Sequence, residues 1–268
     1  MGAGPTHLVA RGLVDRLRGA GRRVEVRELV PSDGSWVAEI GTAFDLDRQL
    51  ASVVASARAR GAFPLTVAGN CISSVGTIAG LGTGITGVLW FDAHGDFNTP
   101  ESTVGGFLDG MAMATAVGRC WTALAATVPG FVPVAEQNVV LVGGRDLDAA
   151  EAKLLAESAV THIGAPEAHA RLDSVLEALA GRVDQLYVHV DLDVLDASEG
   201  QANAYAGGPG LSARELLEAI ETAARRCGIA AGAITAYDPQ CDADGRVCAT
   251  AIEVALALAG PAGQAVPA

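Results

Sequence analysis

Short runs of apolar residues alternate along the chain with longer segments in which apolar residues recur at helical spacing. Runs rich in Val, Leu and Ile that end in Gly, Asn or Asp are typical of buried strands. The predicted strands are Val24–Leu29, Leu65–Gly69, Val88–Phe91, Val139–Val142, Thr161–Ile163, Leu186–Val190 and Ile234–Tyr237. Apolar strands separated by amphipathic helices indicate a parallel sheet that is covered on both faces.

The longer segments predict the helices that cover this sheet. They are Pro5–Gly21, Phe44–Arg60, Asn70–Gly80, Gly110–Val117, Asp148–Ser158, Pro166–Ala180, Ser212–Arg226 and Val247–Ala259, with an irregular segment at 30–43. Ser212 and Glu215 have the spacing of a capping box, so we assign them a structural role. The predicted fold class is α/β: one domain over residues 1–268, with three layers (α/β/α) around a mostly parallel, doubly wound sheet.

Composition narrows the classes of partner and compartment. A chain of 268 residues with 50% hydrophobic content can bury a sizeable core, and a net charge of −13 argues against a nucleic-acid or anionic-membrane partner. The five cysteines are odd in number and lack zinc-finger spacing, and nothing at the N-terminus reads as a signal peptide. A cytoplasmic location follows as an expectation. The apolar run 249–259 contains Glu253 and is too short to span a bilayer.

Two stretches place several metal-ligand side chains where a strand ends. In Val88–Pro100, period-two alternation points Asp92, His94 and Asp96 to the same side, and Tyr187–Asp196 repeats the design with Asp191 and Asp193. Carboxylates with an imidazole suit one or two divalent cations. Each aspartate alone could simply cap a turn or helix, but the two stretches together favour a metal site.

These motifs, taken with three others, resemble those of the arginase/agmatinase (ureohydrolase) family. Asp92-Ala-His-Gly-Asp-Phe-Asn-Thr-Pro100 and Asp191-Leu-Asp-Val-Leu-Asp196 are similar to its metal motifs. The segments 69–77, 144–151 and 211–215 are similar to its Gly-Asp-His-Ser segment, its Arg-Asp-Val-Asp loop and its Leu-Thr-x-Arg-Glu segment. The resemblance spans most of the chain in order and spacing, and it implies the arginase-like fold.

The resemblance also implies a cofactor of two Mn²⁺ ions per chain, which activate water to attack a guanidino or amidino carbon. Asp92 and Asp191 would bridge the ions. The remaining ligands would be His94 and Asp193 for one ion, and Asp96 and Cys71 for the other. Cys71 stands where the family has a histidine, so a thiolate would replace an imidazole. The alternative is a buried apolar cysteine and a lost ligand.

On the substrate side, the resemblance implies an α-amino acid. Asn98 and Thr103 match residues around the substrate carboxylate, and Asp148 matches the acidic group that faces the α-amino group. From the residues alone, Asn98-Thr-Pro is equally an ordinary turn, and Asp148 is equally a helix cap.

Several positions depart from the family pattern. Asp109, a candidate catalytic residue together with Asp96, stands where arginases have a histidine proton shuttle, and burial could raise its pKa enough for proton transfer. Ala236 stands where they have a glutamate that pairs with the guanidinium, and Asp238 would replace it only if the loop shifted. His189 replaces a small residue and is either a hydrogen-bond partner of the ligands or an ordinary buried histidine.

The segment that matches Gly4-Pro5 is not preceded by a counterpart of the family's first strand, so we expect either a truncated start or a sheet that lacks this edge strand. The predicted function is a metal-dependent hydrolase of C–N bonds in linear amidines, which converts Nω-hydroxy-L-arginine or L-arginine to ornithine plus hydroxyurea or urea. The alternatives are an agmatinase-like or formiminoglutamase-like hydrolase and a catalytically silent, metal-binding relative. The predicted partner is a small guanidino substrate, with no nucleic acid and no membrane, and the oligomeric state stays open.

Overall fold

Six parallel strands form one sheet in a computed structural model that describes residues 1–32 and 38–260. The strands are β1 (Leu65–Val67), β2 (Thr86–Phe91), β3 (Val139–Val142), β4 (Thr161–Ile163), β5 (Gln185–Asp191) and β6 (Ile229–Thr235). Their order across the sheet is β1-β6-β5-β2-β3-β4, and every neighbouring pair is parallel. The predicted parallel α/β sheet is confirmed.

Ten α-helices cover the sheet in the two described ranges. They are α1 (Gly4–Ala10), α2 (Leu13–Gly19), α3 (Glu39–Ala59), α4 (Ser74–Gly80), α5 (Ala112–Ala116), α6 (Thr122–Ala125), α7 (Ala149–Ala156), α8 (Ala168–Ala180), α9 (Ala213–Cys227) and α10 (Arg246–Leu258). None of them has the length and hydropathy that crossing a bilayer requires.

Two apolar clusters, one on each face of the sheet, make the three layers. One cluster joins α1, α2, α8, α9 and α10 to side chains such as Leu89 and Val188. The other cluster joins helices α3, α4, α5, α6 and α7 to strand side chains such as Trp90 and Tyr187. Because strand residues alternate between faces, both clusters draw on the same strands, and nearly all central-strand positions are apolar.

Two predicted elements at the N-terminus are wrong. The helix expected over Pro5–Gly21 is broken in two, because Gly12 adopts a φ of 97° that ends α1. The strand expected at Val24–Leu29 does not form. These residues have no regular structure, and Val26 is about half exposed, so an apolar run alone did not find a pairing edge.

The observed bounds of two other elements differ from the predicted ones. The last strand begins at Ile229 rather than at Ile234, because pairing with β5 and β1 recruits an alanine- and glycine-rich segment of low strand propensity. Helix α3 begins at Glu39, inside the segment predicted to be irregular, of which residues 33–37 lie outside the described residues. The capping box at Ser212 and Glu215 is present: each backbone N–H donates to the other's side chain, over 2.9 and 3.2 Å.

Candidate metal centre

The carboxyl ends of β2 and β5 lie side by side, because the strands pair in parallel with Phe91 opposite Val190. Asp92 directly follows β2, and Asp191 is the last residue of β5. Both carboxylates are buried. The two aspartate-rich motifs therefore meet at one edge of the sheet, which is the usual position of sites in parallel α/β folds.

One half of this cluster, the histidine side, consists of Asp92, His94 and Asp193. Their ligand atoms lie within 4.8 Å of one another, and His94 Nδ1 is 3.2 Å from Asp92 Oδ1 and 3.4 Å from Asp193 Oδ2. Burial lowers the pKa of His94, but hydrogen bonds with Asp193 and Asp92 outweigh it and raise the pKa to about 12. Burial and then Asp193 raise the pKa of Asp92 to about 6. These groups therefore favour a positive charge between them.

The other half, the thiol side, consists of Cys71, Asp96 and Asp191. Cys71 begins the one-turn 3₁₀ helix Cys71–Ser73, and its thiol donates to Asp191 Oδ2 over 3.0 Å. Burial and then Asp191 raise the pKa of the thiol well above its usual range. Burial and then Asp92 do the same to the pKa of Asp96. The thiol side is thus a crowded set of acidic groups that disfavour one another's charge.

The residues of both sides fit a pair of divalent cations. Asp96 has a φ of 48°, and within the described part of the chain its buried Oδ2 has no hydrogen-bond partner. A buried, unpaired carboxylate oxygen costs free energy unless a cation or a donor meets it. Carboxylate oxygens and an imidazole suit Mn²⁺ or Mg²⁺, and the thiol adds a softer donor. All six ligands predicted from the sequence lie in this cluster.

Asp109 lies next to the thiol side. Its carboxylate accepts hydrogen bonds from Asn70 Nδ2 over 2.9 Å and from the backbone N–H of Ile72 over 3.0 Å. Burial raises its pKa to about 7 despite these bonds. The carboxylate therefore holds the loop that presents Cys71.

The three predicted substrate residues lie on the loops that follow β2 and β3. Asn98 Nδ2 donates to Asp148 Oδ2 over 3.2 Å, and the Thr103 hydroxyl accepts from the Gly106 N–H in the same surface loop. Asp148 is also the N-cap of α7, and its own N–H donates to Glu151. Asp148 is therefore a helix cap. Its Oδ2 also accepts from Asn98, so the same carboxylate lies next to another predicted substrate residue.

The loop after β6 presents no carboxylate at the position of the family's glutamate. Ala236 adopts a φ of 57°, and its carbonyl accepts from Asn203 Nδ2 over 2.9 Å. Asp238 does not replace the glutamate: its carboxylate lies 3.8 Å from the Met1 amine and accepts from the Gln240 N–H. Asp238 is therefore engaged with other groups, and the condition under which it would replace the glutamate is not met.

Several residues that support the cluster were not recognised from the sequence. Asn203 donates to Asp193 Oδ2 over 3.1 Å, and Trp90 Nε1 donates to Asp92 Oδ2 over 3.1 Å. Arg145 Nη2 donates to the Asp193 carbonyl over 2.8 Å. Gly95 packs so closely on Glu151 that a β-carbon would lie 2.7 Å from its Oε1. All of these residues except Asn203 lie in stretches that the sequence analysis had singled out, but none carried a signal of its partner.

A polar chain lies beneath the thiol side. His189 Nδ1 is 2.9 Å from the Tyr187 hydroxyl, and its Nε2 is 3.0 Å from Thr235 Oγ1, which in turn is 3.2 Å from Cys71 Sγ. Burial lowers the pKa of His189 to about 3. The sequence left open whether His189 supports the ligands. It is in fact linked to Cys71 through one hydroxyl.

A parallel sheet that gathers buried carboxylates, an imidazole and a thiol at its carboxyl edge defines a metal-dependent enzyme of the three-layer α/β class. Residues 24–260 match the model of the arginase family. The arginase of Bacillus caldovelox is 27% identical over 96% of this chain and 91% of its own length. The arginase structure from Bacillus cereus has a TM-score of 0.87 at 26% identity, over 98% of this chain and 93% of that chain.

A more distant likeness concerns the fold alone: the formimidoylglutamase of Bacillus subtilis has a TM-score of 0.69 at 19% identity, over 94% of this chain and 81% of that chain. The chain belongs to the arginase family. It is thereby a metal-dependent hydrolase of amidine C–N bonds, as the sequence predicted.

Proposed function

We propose that this protein is a binuclear manganese amidinohydrolase that acts on an arginine-like amino acid. The preferred substrate is Nω-hydroxy-L-arginine, which water converts to ornithine and hydroxyurea; L-arginine would yield ornithine and urea. The observation that carries the proposal is the cluster of ligand-type side chains at the carboxyl edge of the sheet, five of them buried and His94 partly exposed, in a chain of the arginase family.

In this proposal, Asp92 and Asp191 would hold both cations. His94 and Asp193 would be the further ligands of one cation, and Asp96 and Cys71 those of the other. The cations supply a lowered pKa for bound water and positive charge for the tetrahedral state that forms on attack. Asp96 is also a proposed catalytic residue, because its Oδ2, which has no hydrogen-bond partner among the described residues, would accept a hydrogen bond from a water molecule at this site.

Asp109 is the proposed proton relay to the leaving nitrogen. Its support is positional: the carboxylate is buried beside the thiol side and is held in one orientation by Asn70 and Ile72. A general acid must be held within reach of the reacting atoms. The same two contacts keep Asp109 at the edge of the cluster.

Asn98, Thr103 and Asp148 are the proposed contacts of the α-amino acid end. Asp148 is exposed at the edge of the site and carries a charge that suits an α-ammonium. The Asn98 amide next to it and the Thr103 hydroxyl supply donors for a carboxylate. These groups would hold arginine and its hydroxylated form equally, so they do not decide between the two substrates.

The choice between the two substrates rests on charge at the reacting end. The guanidinium of arginine stays protonated in proteins, so a site with two cations needs a nearby carboxylate to offset the repulsion. Ala236 offers none, and Asp238 is directed to the N-terminal amine. An N-hydroxyl group withdraws electron density, so a larger fraction of the substrate is neutral and its carbon is more open to attack.

The test compares kcat/KM for Nω-hydroxy-L-arginine, L-arginine, agmatine and N-formimino-L-glutamate on one manganese-loaded preparation. We expect the hydroxylated substrate to be preferred by at least about 100-fold, because sites that use a substrate hydroxyl can discriminate by 10⁴ or more against analogues without it. Ala236→Glu should raise the relative activity on L-arginine, since it restores a carboxylate near the guanidinium. Ala236→Gln is the uncharged control of the same shape.

Equal turnover of L-arginine by the unmodified protein would replace this proposal with an ordinary arginase. Better turnover of agmatine or of the formimino substrate would point to the other hydrolase classes, and no turnover at full metal content would favour the silent relative.

We further propose that the protein works in the cytoplasm on a small guanidino substrate, without nucleic acid or membrane. All five cysteines are free thiols in the structure, which supports a reducing compartment. Isolation of the native protein with an oxidised cysteine pair would contradict this location.

A further inference from the structure

Four buried side chains form a line that ends at Cys71. The Tyr187 hydroxyl, both nitrogens of His189, the Thr235 hydroxyl and Cys71 Sγ are separated by 2.9, 3.0 and 3.2 Å in that order. Tyr187, His189 and Thr235 are fully shielded from solvent, and Cys71 is 3% exposed. The line therefore has no contact with water, and its members satisfy one another.

Strand register explains why these residues meet. Asp191 pairs with Thr235, and His189 pairs with Ala233 and, on its other side, with Trp90. These residues share one face of the sheet, where the small side chain of Ala233 leaves room for the imidazole, which stacks on the Trp90 ring with centroids 3.8 Å apart. The imidazole is thus fixed in one plane.

The hydrogen atoms can run along this line in only one direction if Cys71 binds a metal. A metal-binding cysteine is a thiolate, which has lone pairs but no hydrogen to donate. The Thr235 hydroxyl has three acceptors in reach: the sulfur at 3.2 Å, and the Val190 carbonyl and Asp191 Oδ2 at 3.4 Å each. The sulfur is the nearest of the three, so Thr235 donates its hydrogen to sulfur and accepts from His189 Nε2–H. A neutral imidazole with Nε2–H has an acceptor at Nδ1, which takes the hydrogen of Tyr187.

This direction also leaves no buried hydrogen without an acceptor. Among the residues that the structure describes, the Tyr187 hydroxyl has His189 as its hydrogen-bond partner. If the line ran the other way, Nδ1–H would donate to Tyr187, and the phenolic hydrogen would have no acceptor in a dry environment. The donor direction towards sulfur is therefore the one that satisfies every group.

We propose that Tyr187, His189 and Thr235 are positioning residues that form a donor chain supporting Cys71 as a thiolate ligand. An imidazole ligand has its own second N–H, whereas a thiolate needs a donor from its surroundings to reduce its excess charge. The inference rests on the proposed function only in that it requires Cys71 to bind the metal. It adds three residues whose role is to set the charge on that sulfur.

His189 is also close enough to be considered as a ligand, since its ring lies within 4.8 Å of ligand atoms of Cys71 and Asp92. Both of its nitrogens, however, are engaged with hydroxyl groups at hydrogen-bond distance. The geometry therefore favours the donor chain over direct coordination.

The test uses protein loaded with Co²⁺, in which a thiolate ligand gives a sulfur-to-cobalt charge-transfer absorption band. Thr235→Val removes the hydroxyl and keeps the shape of the side chain. We expect the band to persist but to move to longer wavelength, because a thiolate without its donor gives up an electron more readily. Metal affinity at this site should fall about 10- to 100-fold, as is common when a group that holds a ligand is lost.

Three variants complete the experiment. Thr235→Ser keeps the hydroxyl and should restore the band position. Tyr187→Phe should shift the band less, because it removes only the far end of the chain. Thr115→Val is the matched control: Thr115 is a buried threonine whose Oγ1 lies 3.3 Å from another thiol, Cys120, and donates to the Met111 carbonyl, so its hydroxyl is engaged outside the six proposed ligands. It should leave the band unchanged.

The outcomes separate the two proposals. No charge-transfer band in the unmodified protein, or a band that survives Cys71→Ser, overturns Cys71 as a ligand and with it the ligand set of the proposed function. A band that is lost in Cys71→Ser but is unmoved in Thr235→Val, with unchanged metal affinity, overturns the donor chain alone. Loss of the ion in His189→Gln while Thr235→Val binds normally would make His189 a ligand and also overturn the chain.

Discussion

The histidine side and the thiol side of the cluster each contain three ligand-type side chains, but the surroundings of these side chains differ. On the histidine side, the His94 imidazole is 27% exposed and its partners are the carboxylates of Asp92 and Asp193. On the thiol side, Cys71 is 3% exposed, and besides Asp191 it contacts the neutral hydroxyl of Thr235. One side balances charge against charge, and the other adds neutral hydrogen-bond donors in a dry environment.

The two sides also differ in how far along the chain their parts lie. Asp92 and His94 are two residues apart, so one local motif builds most of the histidine side. On the thiol side, Cys71 contacts Asp191, which lies 120 residues further along the chain, and the supporting hydroxyl of Thr235, which lies 164 residues further along. A departure from the family pattern at Cys71 is therefore surrounded by groups from distant strands, and its support cannot be found in any single motif.

The largest expected effect is the loss of metal from both sides at once. Asp92→Asn and Asp191→Asn each take away a carboxylate that is proposed to bridge both ions, so the content should fall from about two manganese ions per chain to near zero and turnover should fall to background. Metal analysis of the purified variants, combined with the hydroxyarginine assay, measures both. Asp173→Asn, an exposed residue paired with Arg226, is the control. A fully active Asp92→Asn protein would refute the shared centre.

A smaller effect concerns proton transfer beside the thiol side. Asp109→Asn keeps an acceptor oxygen for the Ile72 N–H but cannot carry a proton between groups. We expect kcat to fall by roughly 10²- to 10⁴-fold, the usual contribution of general acid–base catalysis, while manganese content is retained. Steady-state kinetics and metal analysis on one preparation separate the two. An unchanged kcat would leave Asp109 as only a holder of the Cys71 loop.

The smallest expected effect is a change in which metal ion the thiol side prefers. A thiolate favours softer cations, whereas imidazole with carboxylates does not distinguish them as strongly. In competition between Cd²⁺ and Mn²⁺, Cys71→Ser should lower the bound Cd²⁺:Mn²⁺ ratio by about tenfold, which corresponds to about 1.4 kcal/mol. His94→Asn, the matched change on the other side, should lower total metal without that fall. Equal ratios in the unmodified protein and Cys71→Ser would argue that the sulfur does not bind.

Much of the fold could be predicted because its signals are local. The strands Val139–Val142 and Thr161–Ile163 were both predicted to the residue. Val139–Val142 is a buried apolar run between loop residues, whereas in Thr161–Ile163 only Ile163 is buried. The prediction failed at Val24–Leu29, where three of the six residues are charged and, among the described residues, no strand pairs with the segment. It also missed the start of β6, where alanines and a glycine form a strand because two neighbouring strands pair with them.

The sequence alone was enough to identify the parallel α/β class and the family and to single out the candidate metal-ligand motifs, because period-two alternation and motif spacing are properties of neighbouring residues. The tertiary structure decided what supports the ligands. Asn203 on Asp193, Trp90 on Asp92, and Thr235 between His189 and Cys71 are contacts across strands and loops, where the register sets the partner. It also decided that Asp238 faces the N-terminal amine, because a loop's direction depends on the backbone angles at Ala236 and on the groups that meet it in space.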